Sequence, residues 1–261
     1  MRGLKGKRFV VAGAATGIGA ATAKRLAEEG AHVVVGDINT AGMEKTVAEI
    51  TGAGGVAKGF VFDFVDEPSC RALIEDCVQN YGGIDGLANV GADTRHSLLN
   101  RDLDLLQMQD DVWQRTLDVN LHGHIRTIRA ALPNFAKQRD GAIVCVSSGA
   151  AHIGDPTLPA YATSKIALHT VIRHVARKWG PDNVRCNAIS PGAVTTETSR
   201  SISGADPVHA AMRKKLEDSL PLKRAGTTAE VAASIAFLLS EDAAWVTGQV
   251  WSVNGGQVMR E

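Results

Sequence analysis

The chain has 261 residues, with 28 lysines and arginines balanced by 28 aspartates and glutamates, and 44% of its residues are hydrophobic. A chain of this length and composition can bury a full core and is not typical of disordered proteins. The balanced charge gives no electrostatic reason to expect a nucleic acid or a membrane surface as partner, and no apolar stretch approaches membrane-spanning length. The four scattered cysteines form no CxxC pair, which favours reduced thiols in the cytoplasm.

Short apolar runs alternate with helical patterns along the whole chain. The predicted strands cover residues 8–12, 32–36, 56–62, 84–90, 141–147, 184–190 and 249–253. The predicted helices cover residues 17–29, 40–51, 67–80, 110–137, 160–179 and 228–239. Several strands are apolar on both faces, as in sheets covered by helices on both sides. The alternation predicts right-handed crossovers and a single α/β domain over residues 1–261, a doubly wound seven-stranded parallel sheet with helices on both faces.

A glycine-rich segment, Gly13, Gly17 and Gly19, follows the first predicted strand and opens the first helix. Glycine permits a tight turn and lets the backbone approach a pyrophosphate at the helix N-terminus, as in a Rossmann fold. Asp37 ends the second strand 18 residues after Gly19, close to the roughly 20 expected for an acid that binds the ribose. Its carboxylate can accept both ribose hydroxyls and would repel a 2′-phosphate, which predicts NAD. The alternative role for Asp37 is the N-cap of the next helix.

A second group of residues can exchange a proton with an alcohol. Tyr161 and Lys165 are four residues apart and share a helix face, and Ser148 ends the fifth strand. A free phenol has a pKa of about 10, and a nearby ammonium favours the phenolate and lowers that pKa. Ser148 can hydrogen-bond the substrate oxygen. The alternative is an exposed Tyr–Lys pair on an ordinary amphipathic helix. Together with a dinucleotide site, these residues predict hydride transfer.

These motifs resemble those of the short-chain dehydrogenase/reductase family, and the resemblance covers nearly the whole chain. It implies that Tyr161 is the general acid/base, that Lys165 binds the nicotinamide ribose and tunes Tyr161, and that Ser148 orients the carbonyl. It also implies that Asn120, in LDVNLHG, holds a water in a proton relay. The implied cofactor contacts are Gly13, Thr16, Gly17, Ile18, Gly19, Asp37, Ile38, Asp63, Phe64, Asn89, Gly91, Tyr161, Lys165, Pro191, Gly192, Val194 and Thr196. The resemblance further implies a homotetramer, with helices 110–137 and 160–179 packed against a partner's.

The chain departs from the family pattern at two neighbouring places. Ala12 stands where the family usually has Thr, and Ala88-Asn89-Val90-Gly91 stands where it has NNAG. Since losing both partners of a buried polar contact can be nearly neutral, we interpret the pair as a compensated apolar replacement. The segment 91–109, with Arg95, His96, Arg101 and Asp102, is also longer than usual. It could border the substrate or form only a subunit contact.

The substrate pocket is the least determined part of the sequence. His152 and Asp155 lie between Ser148 and Tyr161 and could touch substrate or belong to a plain loop. Residues 193–220 form a long segment with a polar half, Ser199–Pro207. They end in an apolar stripe that includes Met212 and Leu216, which either packs against the body or closes as a lid. The histidines are poorly spaced for ligation, and no catalytic metal is expected.

The residues and the resemblance together predict an NAD-dependent oxidoreductase that interconverts a small secondary alcohol and a ketone. An NADPH-dependent carbonyl reductase of the same fold is the enzymatic alternative. Asp37, and Thr16 where NADP-users often have a basic residue, count against it. A non-catalytic dinucleotide-binding regulatory protein is the alternative from another class, and the presence of Ser148, Tyr161 and Lys165 counts against that.

Overall fold

The computed structural model describes residues 1–154, 156–196 and 207–259, apart from the side chains of residues 207–209 and 212. In its first half the elements are β1 (Arg8–Ala12), α1 (Gly17–Glu28), β2 (His32–Asp37), α2 (Thr40–Gly52), β3 (Val56–Val61), α3 (Glu67–Tyr81), β4 (Gly86–Asn89), α4 (His96–Leu99), α5 (Asp110–Leu117), a π-helical turn (Asp118–His122) and α6 (Gly123–Gln138). In its second half they are β5 (Gly141–Val146), α7 (Ala150–Ile153), α8 (Pro159–Trp179), β6 (Val184–Pro191), β7 (Val194–Thr195), α9 (Pro207–Ser219), β8 (Gly226–Thr227), α10 (Thr228–Leu239) and β9 (Val250–Val253). Short 3₁₀ turns cover Gly180–Asp182 and Glu241–Ala243.

Seven strands form one parallel sheet in the order β3-β2-β1-β4-β5-β6-β9. The predicted doubly wound, seven-stranded parallel sheet is therefore confirmed. The strand order reverses between β1 and β4, and open α/β sheets bind ligands at the carboxyl edge beside such a reversal. The glycine-rich turn follows β1, and Gly91 follows β4, so both lie at that point of the edge. A separate two-stranded sheet pairs β7 with β8.

The two faces of the sheet bury separate apolar layers. Because side chains alternate along a strand, Phe9 and Val11 of β1 pack with α1, α2 and α10, whereas Val10 and Ala12 pack with α3, α6 and α8. The apolar patterning of the strands on both faces follows from this double cover. Among the described helices, none is both long enough and apolar enough to cross a membrane.

Strand and helix bounds agree with the sequence predictions within about two residues, and the exceptions lie near the carboxyl edge. The predicted helix 110–137 is two helices joined by the π-helical turn. The predicted long segment 91–109 contains α4, and the predicted long segment 193–220 contains β7 and α9. Residues 197–206 of the predicted lid lie outside the described residues.

The departure from the family pattern at Ala12 and Ala88 leaves β1 and β4 tied through the main chain. The Val90 and Gly91 N–H groups both donate to the Ala12 carbonyl, at 2.9 and 3.0 Å. The Ala12 and Ala88 methyl groups are fully buried in the two opposite core layers. No polar side chain is left without its partner at these two positions, which supports the interpretation of a compensated replacement.

Candidate active site

The glycine-rich turn brings backbone to the carboxyl edge where no side chain would fit. Gly13 has a φ of +86°, and a Cβ placed on it would overlap the main chain of Gly91. A Cβ on Gly19 would overlap the Gly13 carbonyl. Thr16 is the N-cap of α1 but makes no side-chain capping bond, and the first turn contains no acidic residue. The first N–H groups of α1 are therefore available to an anion, as a dinucleotide pyrophosphate requires.

Asp37 lies beside this turn at the end of β2, with both carboxylate oxygens oriented by main-chain donors. Oδ2 accepts from the Ala15 N–H at 2.8 Å, and Oδ1 accepts from the Asn39 N–H at 2.9 Å. The N-cap of α2 is Asn39, whose side chain accepts from the Gly42 N–H. The alternative role of Asp37 as that N-cap is therefore wrong. Its carboxylate is anchored against the glycine-rich turn, where a ribose would lie.

Two further predicted cofactor contacts follow β3. The Asp63 carboxylate accepts from the Val65 N–H at 3.1 Å, which shapes the chain at the edge. The Phe64 ring is buried against the rings of Phe62 and His124, with centroids 4.8 and 5.4 Å away. Phe64 therefore packs in the protein interior, and a cofactor contact there would involve its main chain.

Ser148, Tyr161 and Lys165 come together from the end of β5 and the first turns of α8. The Lys165 side chain is 1% exposed, its Nζ donates to the Val146 carbonyl at 2.9 Å, and Nζ lies 5.9 Å from the centroid of the Tyr161 ring. Ser148 lies close enough to the Tyr161 phenol to oppose part of the effect of burial on its pKa. The alternative of an exposed Tyr–Lys pair is excluded, because Lys165 is buried.

The pKa shifts at this site differ from the sequence expectation. Burial raises the pKa of the Tyr161 phenol, and the hydrogen bond with Ser148 only partly opposes the rise. Burial lowers the pKa of Lys165 to about 8. The expectation that the ammonium lowers the tyrosine pKa is therefore wrong, because desolvation penalises both charged forms. The phenol is neutral at neutral pH and is a proton donor.

Asn120 lies in the π-helical turn and is fully buried. Its Oδ1 accepts from the Asp93 N–H at 2.8 Å, while its Nδ2 has no hydrogen-bond partner. Single π-helical turns are frequent at functional sites because they re-aim side chains. An orphaned buried donor of this kind fits the predicted task of holding a water.

His124 is a site residue that the sequence reasoning did not identify. It lies four residues after Asn120 and is fully buried, and its Nε2 is 2.8 Å from the Gly91 carbonyl. Since a carbonyl only accepts, Nε2 carries the proton and Nδ1 is an acceptor, which is orphaned. Burial and the charge of Lys165 lower the pKa of His124 to about 3. The only available signal was its one-turn spacing from Asn120.

Asn89, another predicted cofactor contact, uses its side chain within the protein. Its Nδ2 donates to the His124 carbonyl at 3.3 Å, and its Oδ1 accepts from Thr127 Oγ1 at 2.8 Å. These bonds join the end of β4 to α6. Any contact of Asn89 with a cofactor would therefore be made by its main chain.

The predicted nicotinamide end is assembled around the end of β6. The Gly149 N–H donates to the Pro191 carbonyl at 2.8 Å, which ties the segment after Ser148 to β6. Val194 lies in β7, Thr196 directly follows that strand, and the Thr195 hydroxyl accepts from Arg213 of α9. The start of the predicted lid is thus bonded to the strand that carries the predicted nicotinamide contacts.

The structure describes only some of the predicted substrate residues. The His152 ring, in α7, lies 5.0 Å from the His169 ring, beside the strand end that carries Ser148. Asp155 and the side chain of Met212 lie outside the described residues. Leu216 lies on α9 and is 38% exposed, whereas Leu220, four residues further on, is buried. Within the described ranges, no group of three or more His, Cys, Asp or Glu side chains has the arrangement to hold a metal ion.

Comparisons with known proteins point in the same direction. Residues 13–257 match the family model described as enoyl-(acyl carrier protein) reductase. A 3-oxoacyl-(acyl-carrier-protein) reductase of Thermotoga maritima is 36% identical over 98% of this chain and 99% of its own length. A probable short-chain type dehydrogenase/reductase of Bradyrhizobium diazoefficiens is 38% identical over 97% of this chain and 88% of its own. The crystal structure of levodione reductase superposes with a TM-score of 0.90 at 28% identity, covering 97% of this chain and 98% of that one.

Proposed function

Because the chain belongs to the short-chain dehydrogenase/reductase family of oxidoreductases, which use a nicotinamide dinucleotide and act on small molecules, we propose that it interconverts a secondary alcohol and a ketone with NAD(H). The observation that carries this proposal is that Ser148, Tyr161 and Lys165 lie at the same edge of the sheet as a glycine-rich turn in which Gly13 and Gly19 have no room for a Cβ. We propose one catalytic domain over residues 1–261.

The chain's own residues supply proton transfer and orientation. The bound cofactor would supply or accept the hydride. In the direction of oxidation, the Tyr161 oxygen takes the hydroxyl proton while the substrate C–O bond becomes a carbonyl, and in reduction it returns that proton. Ser148 donates a hydrogen bond to the substrate oxygen and holds it beside Tyr161. Lys165, fixed by the Val146 carbonyl, presents its amino group to the ribose and to the phenol.

Asn120 extends this arrangement away from the substrate. Asn120 lies on the π-helical turn, and its Nδ2 is buried and has no hydrogen-bond partner. A water held there could pass the proton on from the amino group of Lys165. The raised pKa of Tyr161 suits the reductive direction at neutral pH, because the phenol already carries the proton that reduction consumes.

The choice of NAD rests on Asp37. Its carboxylate is aimed by the Ala15 and Asn39 N–H groups, keeps lone pairs for ribose hydroxyls, and would repel a 2′-phosphate. Thr16, Ile38 and Asn39 provide no positive charge to hold that phosphate. An NADPH-dependent carbonyl reductase is the second candidate, and the similarity to a 3-oxoacyl-(acyl-carrier-protein) reductase favours it.

Tyr161→Phe tests the function, because it removes the proton carrier and keeps the ring. Assayed at 340 nm with a panel of secondary alcohols and NAD⁺, turnover should fall by about 10²- to 10⁴-fold, with NADH binding unchanged. Tyr81→Phe is the matched control, since Tyr81 is the only other tyrosine and lies against His32 at the amino edge of the sheet, whereas Ser148 lies at the carboxyl edge. Near-wild-type turnover in Tyr161→Phe would refute the mechanism, and NADH binding without turnover in the wild type on any alcohol or ketone would favour the regulatory alternative.

We also propose a homotetramer in the cytoplasm. The edge strand β9 has one unpaired side, and the nearby Trp245 is fully exposed, which a partner chain would cover. All four cysteines are buried free thiols, which suits a reducing compartment. Light scattering at micromolar concentration should give four times the chain mass, and a monomeric mass would contradict the assembly.

A further inference from the structure

Asp102 gives the long 91–109 segment a direct connection to the catalytic helix. Its side chain is 1% exposed, and its two carboxylate oxygens accept from the Ala160 N–H at 3.0 Å and the Tyr161 N–H at 2.9 Å. Its main-chain carbonyl accepts from the Leu158 N–H at 2.9 Å. A residue 59 positions earlier in the chain therefore receives the first N–H groups of α8.

The first turn of α8 depends on this contact. Leu158, the N-cap, makes no side-chain capping bond, and Pro159 has no N–H to offer. The donors of the first turn would otherwise be buried without an acceptor, which is costly. A carboxylate is also the favoured charge at a helix N-terminus, and its hydrogen bonds are charge-assisted. Asp102 thus fixes where α8 begins.

Lys165 has separate anchors one turn further along the helix. Its Nζ donates to the Val146 carbonyl at 2.9 Å, and its own carbonyl accepts from Ser147 Oγ at 3.2 Å. Loss of Asp102 would release the first turn, which carries Tyr161, and leave Lys165 in place. The two halves of the Tyr–Lys pair are therefore positioned by different parts of the protein.

We propose that Asp102 is a positioning residue for Tyr161, which holds the phenol at proton-transfer distance from a substrate oxygen and couples the 91–109 segment to turnover. This inference rests on the proposed function. The segment is held in turn by the buried Leu98 of α4 and by a hydrogen bond from the Asp102 N–H to the Leu99 carbonyl at 3.1 Å. A misplacement of about 1 Å at a reacting group can reduce rates about 10²-fold.

Asp102→Asn tests the proposal, because an amide of the same shape can accept from one of the two N–H groups and directs its own N–H₂ at the other. We expect kcat to fall about 10- to 100-fold, while the KM and Kd for NADH stay within about twofold. In a Tyr81→Phe background Tyr161 is the sole tyrosine, so its ¹³Cζ NMR signal reports its environment directly. That signal and the pH profile of kcat should both shift in Asp102→Asn.

Asp85→Asn is the matched control. Asp85 is a half-buried carboxylate that also accepts a main-chain N–H, from Arg8 at 2.8 Å, but it directly precedes β4 at the amino edge of the sheet. It should lower Tm and leave kcat and the Tyr161 signal unchanged. If Asp102→Asn behaves like this control, or if it weakens NADH binding as much as it lowers kcat, the proposal is overturned. Asp102→Ser, which keeps one small acceptor, applies the same criteria if the amide variant does not fold.

Failure of this proposal and failure of the proposed function can be told apart. An inactive Tyr161→Phe with a fully active Asp102→Asn would leave the function standing and remove only the positioning role. An active Tyr161→Phe would remove the function itself, whatever Asp102→Asn does.

Discussion

The carboxyl edge of the sheet has two regions, one that presents main-chain groups to the predicted site and one that presents side chains. On the side of β1 and β2, the glycine-rich turn offers main-chain N–H groups, and Gly13 and Gly19 leave no space for a Cβ. On the side of β5 the predicted site consists of side chains, with Lys165 buried and Tyr161 half-buried, and burial shifts the pKa values of both. Binding at the first region should therefore be disturbed by an added side-chain atom. Function at the second should be disturbed by the loss of a side-chain group or by a change of its charge.

The helix N-termini around the edge show the same division. α1 begins without a side-chain cap, so its donors remain open toward an anion. α10 begins with a complete capping box, in which the Thr227 side chain accepts from the Glu230 N–H and the Glu230 carboxylate accepts from the Thr227 N–H. The donors of α8 are taken by Asp102. Donors are thus left open only at the one of these three helices that faces the predicted pyrophosphate.

Adding one methyl group to the glycine-rich turn should have the largest effect on cofactor binding. Gly19→Ala should weaken NADH binding by about 100-fold or more, because its Cβ would overlap the Gly13 carbonyl and displace donors that make charge-assisted bonds. Isothermal titration with NADH measures this. Gly52→Ala, at the end of α2 where a Cβ meets nothing within 4 Å, is the matched control and should bind normally. Equal affinity in both variants would break the comparison.

A smaller effect is expected from removing the buried amino group of Lys165. It is measured as the change of the free energy of unfolding with pH. The folded pKa of Lys165 is lowered to about 8 from 10.5. Between these values the unfolded chain holds a proton that the folded chain has lost, so the free energy of unfolding rises with pH. Between pH 8 and 10, the free energy of unfolding of the wild type should therefore rise by about 2 kcal/mol more than that of Lys165→Met. Urea unfolding of both proteins across that range tests this, and a constant or shrinking difference would contradict it.

The smallest effect concerns the choice of cofactor. Asp37→Ala should narrow the preference for NAD over NADP, in kcat/KM, by about tenfold, because it removes hydrogen bonds to the ribose and repulsion of a phosphate. The value of kcat at saturating NAD⁺ should change little, since Asp37 is distant in the fold from Ser148, at the end of β2 rather than β5. A wild type that is more efficient with NADPH would show that the assignment of NAD is wrong.

Strands, strand ends and helix faces were predictable from the sequence, because each leaves a pattern in neighbouring residues. The strands were identified from short apolar runs, and β2 and β6 were placed within one residue of their observed ends. Asp37 and Ser148 were identifiable because Asp37 ends β2 and Ser148 closely follows β5, and parallel strands bring their ends to one edge. The spacing of Tyr161 and Lys165 placed both on one helix face.

Features that depend on contacts distant in sequence were not predictable. The role of Asp102 arises from a contact 59 positions along the chain, and no periodicity marks it. The π-helical turn at Asn120 lies inside an uninterrupted helical pattern. The extra residue of this turn does not change the spacing of apolar residues enough to be recognised in the sequence. The direction of the Tyr161 pKa shift depends on how much desolvation outweighs the hydrogen bond with Ser148, which a spacing cannot report.

The main-chain bonds between the last loops have a consequence for redesigning the enzyme. The Gly192 N–H donates to the Val253 carbonyl at 3.2 Å, the Gly149 N–H donates to the Pro191 carbonyl, and the Gln257 side chain lies beside both glycines. The end of β9 and the residues after it therefore contact the loops that follow β5 and β6, where the proposed substrate site lies. A mutant library meant to change the substrate range should therefore include positions 254–257. These positions are far in sequence from Ser148 and Tyr161, so a choice based on sequence distance alone would omit them.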